Sequence, residues 1–228
     1  MDDAAFFDAK AASSGRYKVY PDAEYARILA ACGVSGEKRG ARILDAGCGS
    51  GAFSEHLLRM GMKVTGMDVS GGLIGLAQAA LPEGRFLTGD IFSTGFPDAS
   101  FDAVFCGAVL HHFPFRLREA FREFGRILVP AGKVYYFEPY ARSLNSFLWY
   151  KVLSLDRTPG EAALSPKRLE EDFRAEGFGK FSYARVDRVE NVQTGSASSA
   201  RNALNAARRF VSRNLLPNTY FAGSAQRS

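Results

Sequence analysis

Apolar residues along this chain change their spacing repeatedly. From about Ala41, short apolar runs of strand length alternate with segments whose apolar positions recur every three or four residues. That alternation is the pattern of a parallel sheet covered by helices on both faces, an α/β doubly wound fold. Seven strands are predicted: ARILDAG, KVTGMD, GRFLTGD, FDAVFCG, GKVYYFE, GKFSYARV and TYFAGSAQR. Between them, AFSEHLLRM is closed by Gly61 and SGGLIGLAQAAL by Pro82. RLREAFREFGRILV places Leu117, Phe121, Phe124 and Leu128 on one face before Pro130 stops it. Ser165 and Pro166 offer a capping hydroxyl and a first-turn proline to KRLEEDFRAE, which Gly177 ends.

Two stretches stand outside the alternation. Residues 1 to about 40 hold one predicted helix, PDAEYARILAAC, ended by Gly33 and preceded by an aromatic segment with Phe6, Phe7, Tyr17 and Tyr20. They are expected to form an N-terminal helical cap on a domain occupying residues 41–228. Residues 139–164 are expected to be a lid insertion, in which Phe147, Leu148, Trp149, Tyr150, Val152 and Leu153 are apolar nearly all round. These side chains either pack on the N-terminal aromatics or wall a substrate site, and Asp156 and Arg157 either close over that site or pair with each other.

A chain of 228 residues with this pattern suits one large domain with a lid. Cys32, Cys48 and Cys106 are too few and scattered for a disulfide framework, and with three histidines they do not suggest a metal site, so no metal is expected. The start, MDDAAFF, is acidic and no apolar run approaches membrane-spanning length, so a cytoplasmic, non-spanning protein is expected. The net charge of +5 is local: residues 191–228 carry Arg201, Arg208, Arg209, Arg213 and Arg227 without a carboxylate, and the rest of the chain balances. A long polyanion-binding face on the main body is therefore not expected. RNALNAARRFVSRNLL reads as a basic amphipathic helix, either a connector packed on the sheet or a peripheral contact with an anionic membrane surface or substrate.

The most informative run is ILDAGCGSGAF, residues 43–53, a buried strand that stops at a glycine-rich turn and opens a helix. Gly47, Gly49 and Gly51 let a ligand lie against the main chain. The spacing is G-x-G-x-G, not the G-x-G-x-x-G that cradles a dinucleotide pyrophosphate, and Asp45 stands just before it. A carboxylate there serves phosphate poorly and a cationic ligand well. Asp68 ends the next strand 23 residues on, one strand-helix-strand unit away, where it can accept from both hydroxyls of a ribose. Asp90, in TGDIF, either accepts from an exocyclic ring amine, with Ile91 against the ring, or makes a simple turn with Gly89. Strand ends in a doubly wound sheet line one crevice, so the set describes one elongated ligand with a sugar, an amine-bearing ring and a cationic tail.

With these residues in view, the chain resembles the class I S-adenosylmethionine-dependent methyltransferases of the small-molecule type. LDAGCGSG is similar to that family's glycine motif, Asp68 to its ribose-binding acid and GDIF to its adenine-side motif. FPDASFDAVFCGAVLHHF is similar to its fourth strand and following loop, and LVPAGKVYYFEP to its fifth strand. The resemblance implies a seven-stranded, mostly parallel Rossmann-like sheet whose last strand runs antiparallel between strands five and six. It implies S-adenosyl-L-methionine as cofactor, held by Asp45, Gly47, Cys48, Gly49, Gly51, Asp68, Val69, Asp90, Ile91 and Cys106. Cys106 contributes backbone and no reactive thiol.

The implied activity is methyl transfer to a small-molecule acceptor, hydrophobic, lipid-like or a secondary metabolite. Rival readings are a non-catalytic binding protein for the same cofactor and a nucleic-acid methyltransferase. Amino-methylating DNA enzymes of this fold carry an acidic or polar residue, two prolines and an aromatic after strand four; CGAVLHHF stands there in this chain, so no nucleic acid is expected. The loop after strand four brings His111 and His112 toward the transferred methyl, where either ring is a candidate base or only packs the loop. Glu138 and Tyr140, ending strand five, are alternative bases or acceptor contacts. Nothing in the sequence fixes the oligomeric state.

Overall fold

A computed structural model describes residues 3–14, 20–140, 160–187 and 219–228. The elements are α1 (Asp3–Ser14), α2 (Asp22–Cys32), β1 (Arg42–Ala46), α3 (Ala52–Arg59), β2 (Lys63–Asp68), α4 (Gly71–Ala80), β3 (Arg85–Thr88) and β4 (Phe101–Gly107). They continue as α5 (Leu117–Ile127), β5 (Leu128–Pro139), α6 (Pro166–Ala175), β6 (Phe178–Asp187) and β7 (Thr219–Arg227). The strands make one sheet in the order β3-β2-β1-β4-β5-β7-β6. β1 to β5 pair in parallel, while β7 runs antiparallel to both β5 and β6, as the resemblance implies. The order reverses at β1, with β2 on one side and β4 on the other. A crevice opens there at the carboxyl ends of the strands.

The two faces are covered by different helices. Ile43, Ala103 and Phe105 point into a core with Tyr25 and Ile28 of α2 and Phe53 and Leu57 of α3. Leu44, Val104 and Cys106, one residue out of phase, point into the other core with Phe121 and Phe124 of α5 and Leu169 and Phe173 of α6. Both faces being buried explains why these strands read as continuous apolar runs. The rings of Phe121 and Phe173 stack with centroids 3.7 Å apart, tying α5 to α6. Ser70 Oγ accepts from Leu73 N at 3.1 Å to cap α4, and Ser165 Oγ accepts from Arg168 N at 3.3 Å to cap α6.

The structure corrects two expectations. Leu128 does not sit on the buried face of α5: the helix ends at Ile127, and Leu128, at φ −78° and ψ 143°, is the first residue of β5, paired with Phe101. Pro130 bars the helix from running on, because it pushes Val129 out of the helical region, and Leu128 is extended one residue before that limit. The N-terminal region holds two helices among the described residues, α1 as well as the expected α2. α2 packs on the β5–β7–β6 side of the sheet and α1 on α4. The aromatic part of the insertion, with Asp156 and Arg157, and the basic segment with Arg201, Arg208, Arg209 and Arg213 lie outside the described residues. No helix among the described residues is long and apolar enough to cross a membrane.

Candidate active site

At the crevice, β1 gives way to the turn Gly47–Gly51 and then to α3. Gly47 and Gly49 both have left-handed backbones, at φ +73° and +53°. A Cβ on Gly47 would stand 2.8 Å from the Cβ of Val109, so only a bare backbone lets the loop after β4 close on the turn. A Cβ on Gly49 would meet nothing within 4 Å, so this stretch of main chain faces open space. The amides of Gly47 and Cys48 donate to Met67 O at 2.8 and 3.0 Å, fastening the turn to the end of β2. The Cys48 side chain points inward among Ile74, Ala77, Leu81 and Phe86. Gly51 is the N-cap of α3.

Two acids flank this turn. Asp45 is 1% exposed and its Oδ2 accepts from Ser54 Oγ at 2.5 Å. Burial pushes its carboxyl up to about 7, with Ser54 opposing and the neighbouring Asp68 adding to the rise. Asp68 accepts from Gly49 N at 2.9 Å and, with its other oxygen, from Ser70 N at 3.0 Å. Burial raises this carboxyl too, against those amide bonds. Among the described residues no lysine or arginine forms a salt bridge with either acid.

Val69, beside them, is a large apolar side chain left 38% exposed. Asp90 is exposed and one of its oxygens accepts from Phe92 N at 2.9 Å, a side-chain turn, while Ile91 is buried in the main core. Cys106 is wholly buried, and burial pushes its thiol well up.

The other end of the crevice is built around Glu138. This carboxylate of β5 is fully buried, and Oε1 accepts from the amides of Val109 and Leu110 at 3.0 and 2.8 Å. Its Oε2 lies 2.7 Å from His111 Nδ1. Both oxygens are thus engaged in holding the loop after β4.

His111 Nε2 stands 3.4 Å from one oxygen of Glu161, and His112 Nδ1 stands 3.8 Å from the other. Burial favours a neutral His111 ring, but Glu138 and Glu161 outweigh it and hold the ring up to about 9. Burial and the charge on His111 push His112 down to about 3. The surrounding carboxylates thus favour the charged form of His111, while burial favours the neutral form of His112. Tyr140 is set differently: its ring packs against Phe221 with centroids 6.1 Å apart, and its backbone bridges to Leu164.

Helix α1 links the two ends. Asp8 Oδ1 accepts from Ser70 Oγ at 2.5 Å and from Gly72 N at 3.0 Å, at the start of α4. Phe7 meets His112 edge-on with centroids 5.4 Å apart. The structure thus gathers the acids, the glycine turn, Glu138 and the histidine pair around one crevice, and adds Asp8 and Glu161. Neither addition carries a motif. Asp8 sits in a helix without a marked apolar stripe, and Glu161 sits in the insertion, brought in by a backbone bond from Ala162 N to His111 O at 3.0 Å.

The sheet order and the helices that cover it are the fold of solved S-adenosylmethionine-dependent methyltransferases. Residues 44–136 match a family model described as a methyltransferase domain. The chain is 31% identical over 122 residues to a malonyl-acyl-carrier-protein O-methyltransferase of Serratia marcescens, covering 53% of this chain and 48% of the relative. It is 34% identical over 119 residues to a demethylmenaquinone methyltransferase of Chlorobaculum tepidum, covering 50% and 49%. The chain spans about half the length of the curated relatives it matches. Among solved structures, a SAM-dependent methyltransferase from Archaeoglobus fulgidus superposes with a TM-score of 0.66 at 19% identity, covering 89% of this chain and 92% of that one. The cyclase SpnF has the same fold, at a TM-score of 0.66 and 20% identity over 98% and 92% of the two chains.

Proposed function

We propose that the chain transfers a methyl group from S-adenosyl-L-methionine to a small-molecule acceptor. One observation carries this reading: the buried carboxylate of Asp45 and the partly buried one of Asp68, with no salt-bridge partner among the described residues, stand beside a glycine backbone that opens on empty space. Burying an uncompensated carboxylate is costly, and a bound cation offsets that cost. The residues present suit the cofactor. Asp68 would accept from the ribose hydroxyls and Asp45 would face the cationic amino-acid end. Val69, Asp90 and Ile91 would meet the adenine. The backbone of Gly47, Cys48, Gly49 and Gly51 would border the rest, and Cys106, wholly buried, would stand behind that wall without touching the ligand.

When bound, the cofactor supplies a methyl group on a sulfonium, a carrier that is already a good leaving group. What the chain must add is alignment and exclusion of water. Glu138 serves as a positioning residue, since it fixes the loop that presents His111 and His112 to the acceptor. The small-molecule reading is supported by the names of relatives, which specify malonyl-acyl-carrier protein, demethylmenaquinone and, in Gibberella zeae, a sterol.

Calorimetry with S-adenosylmethionine and S-adenosylhomocysteine tests the first step, and saturable binding of both is expected. A labelled-methyl screen over lipid extract, pooled metabolites and RNA tests the second, with label expected in the lipid or metabolite fraction. Absence of saturable cofactor binding refutes the proposal, and label confined to RNA refutes the choice of acceptor.

A further inference from the structure

We propose that His111, His112 and Glu161 form a divalent metal site at the acceptor end of the crevice. One ligand atom from each residue can be chosen so that all lie within 4.8 Å of one another. The carboxylate oxygens of Glu161 stand 3.4 Å from His111 Nε2 and 3.8 Å from His112 Nδ1. The shorter of these distances equals the separation of about 3.4 Å between tetrahedral ligands that stand about 2.0–2.1 Å from a zinc ion. The three side chains are 8%, 17% and 10% exposed, so an ion there would be largely screened from bulk water.

A second, independent observation is the support behind His111. A ligating imidazole usually donates its other N–H to a carboxylate, which sets the tautomer and the ring plane. Glu138 meets His111 Nδ1 at 2.7 Å and so directs Nε2 toward Glu161. Glu138 is itself immobilised, fully buried with its other oxygen taken by two backbone amides. Glu161 is steadied from its own side, since Ala162 N donates to His111 O at 3.0 Å and Leu164 N to Pro139 O at 3.3 Å. Counting histidines and cysteines gives no metal set in this chain, because the third donor is a carboxylate of the insertion.

Two histidines and one carboxylate leave a coordination position open, as catalytic zinc sites do, and the same donors suit ferrous iron. The role of that position rests on the proposed methyl transfer: it would take an oxygen of the acceptor and favour its deprotonated form. The site itself does not depend on that reading.

The test uses the full chain, stripped of metal by a chelator and titrated with Co²⁺, whose visible bands report a tetrahedral or five-coordinate site. Saturation at a single ion per chain and displacement by Zn²⁺ are expected. His112→Ala and Glu161→Gln are expected to abolish the bands, and Glu138→Gln to weaken Co²⁺ binding about 10- to 100-fold. Cofactor calorimetry on each variant shows that the fold and the other end of the crevice survive. A chain that binds S-adenosylmethionine but gives no saturable Co²⁺ signal overturns the metal site, as do bands that persist in both His112→Ala and Glu161→Gln. A chain that binds Co²⁺ but not S-adenosylmethionine keeps the metal site and loses the methyltransferase reading.

Discussion

Replacing Asp45 with asparagine is expected to stabilise the protein without cofactor and to weaken cofactor binding. The folded chain raises this carboxyl from 3.8 to about 7, chiefly by burial. Between those two values the folded chain holds a proton on Asp45 that the unfolded chain has released. Stability therefore falls as pH rises through that window, and the cost is fully present above about pH 7. At about 1.4 kcal/mol per pKa step the plateau is about 4 kcal/mol. Asparagine keeps the shape and an oxygen for Ser54 Oγ while removing the charge. The gain of Asp45→Asn over the parent is expected to be near zero at about pH 4 and to grow to a plateau of a few kcal/mol above pH 7.

Urea unfolding of both proteins at several pH values measures this gain directly. The fit of the new amide shifts the whole difference curve up or down but does not change its slope, so the slope is the decisive quantity. A difference independent of pH, or one that shrinks as pH rises, refutes the reasoning. Cofactor binding should move the other way. The variant lacks the counter-charge, so its deficit in S-adenosylmethionine affinity is expected to widen from pH 6 to pH 8. In the parent, binding near pH 7 should release a proton, which calorimetry in buffers of unequal ionisation heat detects.

Asp8→Ala removes the acceptor that ties α1 to Ser70 and Gly72. It is expected to speed cofactor release in stopped-flow displacement, and an unchanged release rate would show that α1 does not cover the cofactor. Gly49→Ala puts a side chain on a left-handed backbone with no neighbour within 4 Å, so it should cost about 1–2 kcal/mol in thermal or urea unfolding from backbone conformation alone. The same change should reduce cofactor affinity through the lost close approach, read by calorimetry. Phe173→Ala empties a fully buried position stacked on Phe121 and should cost about 3–5 kcal/mol in urea unfolding, with cofactor affinity little changed in the folded fraction.

The parts of this molecule that are legible in its sequence are those whose chemistry is local. Asp45 and Asp68 end strands whose apolar runs are evident, and the glycine turn follows one of them directly, so a reader of the chain finds the proposed cofactor end without seeing it folded. The sheet is legible for the same reason, since burial on both faces leaves an unbroken apolar signature in β1 and β4. Leu128 marks where this reading fails. It continues the helical spacing of Leu117, Phe121 and Phe124, yet it is already extended at the start of β5, just ahead of the Val129–Pro130 step that bars a helix, so spacing alone weighs the wrong signal.

The acceptor end is illegible for a different reason. Glu138 stands at a strand end just as Asp45 and Asp68 do, and a strand-end acid invites the same reading of contact with a ligand. What separates it is the destination of its oxygens: two backbone amides and an imidazole take both of them, and no periodicity records which amides a fold leaves in need of a partner. Once the loop after β4 is seen to depend on that acid, the histidines cease to be a pair of loose candidates. They become two rings in unlike surroundings, one set by a carboxylate from behind and both faced by Glu161 in front. Glu161 comes from the insertion, the part of the chain with the weakest pattern. On the proposed reading, the chemistry that distinguishes one acceptor from another is written where the insertion meets the loop, and not in the glycine turn and strand-end acids.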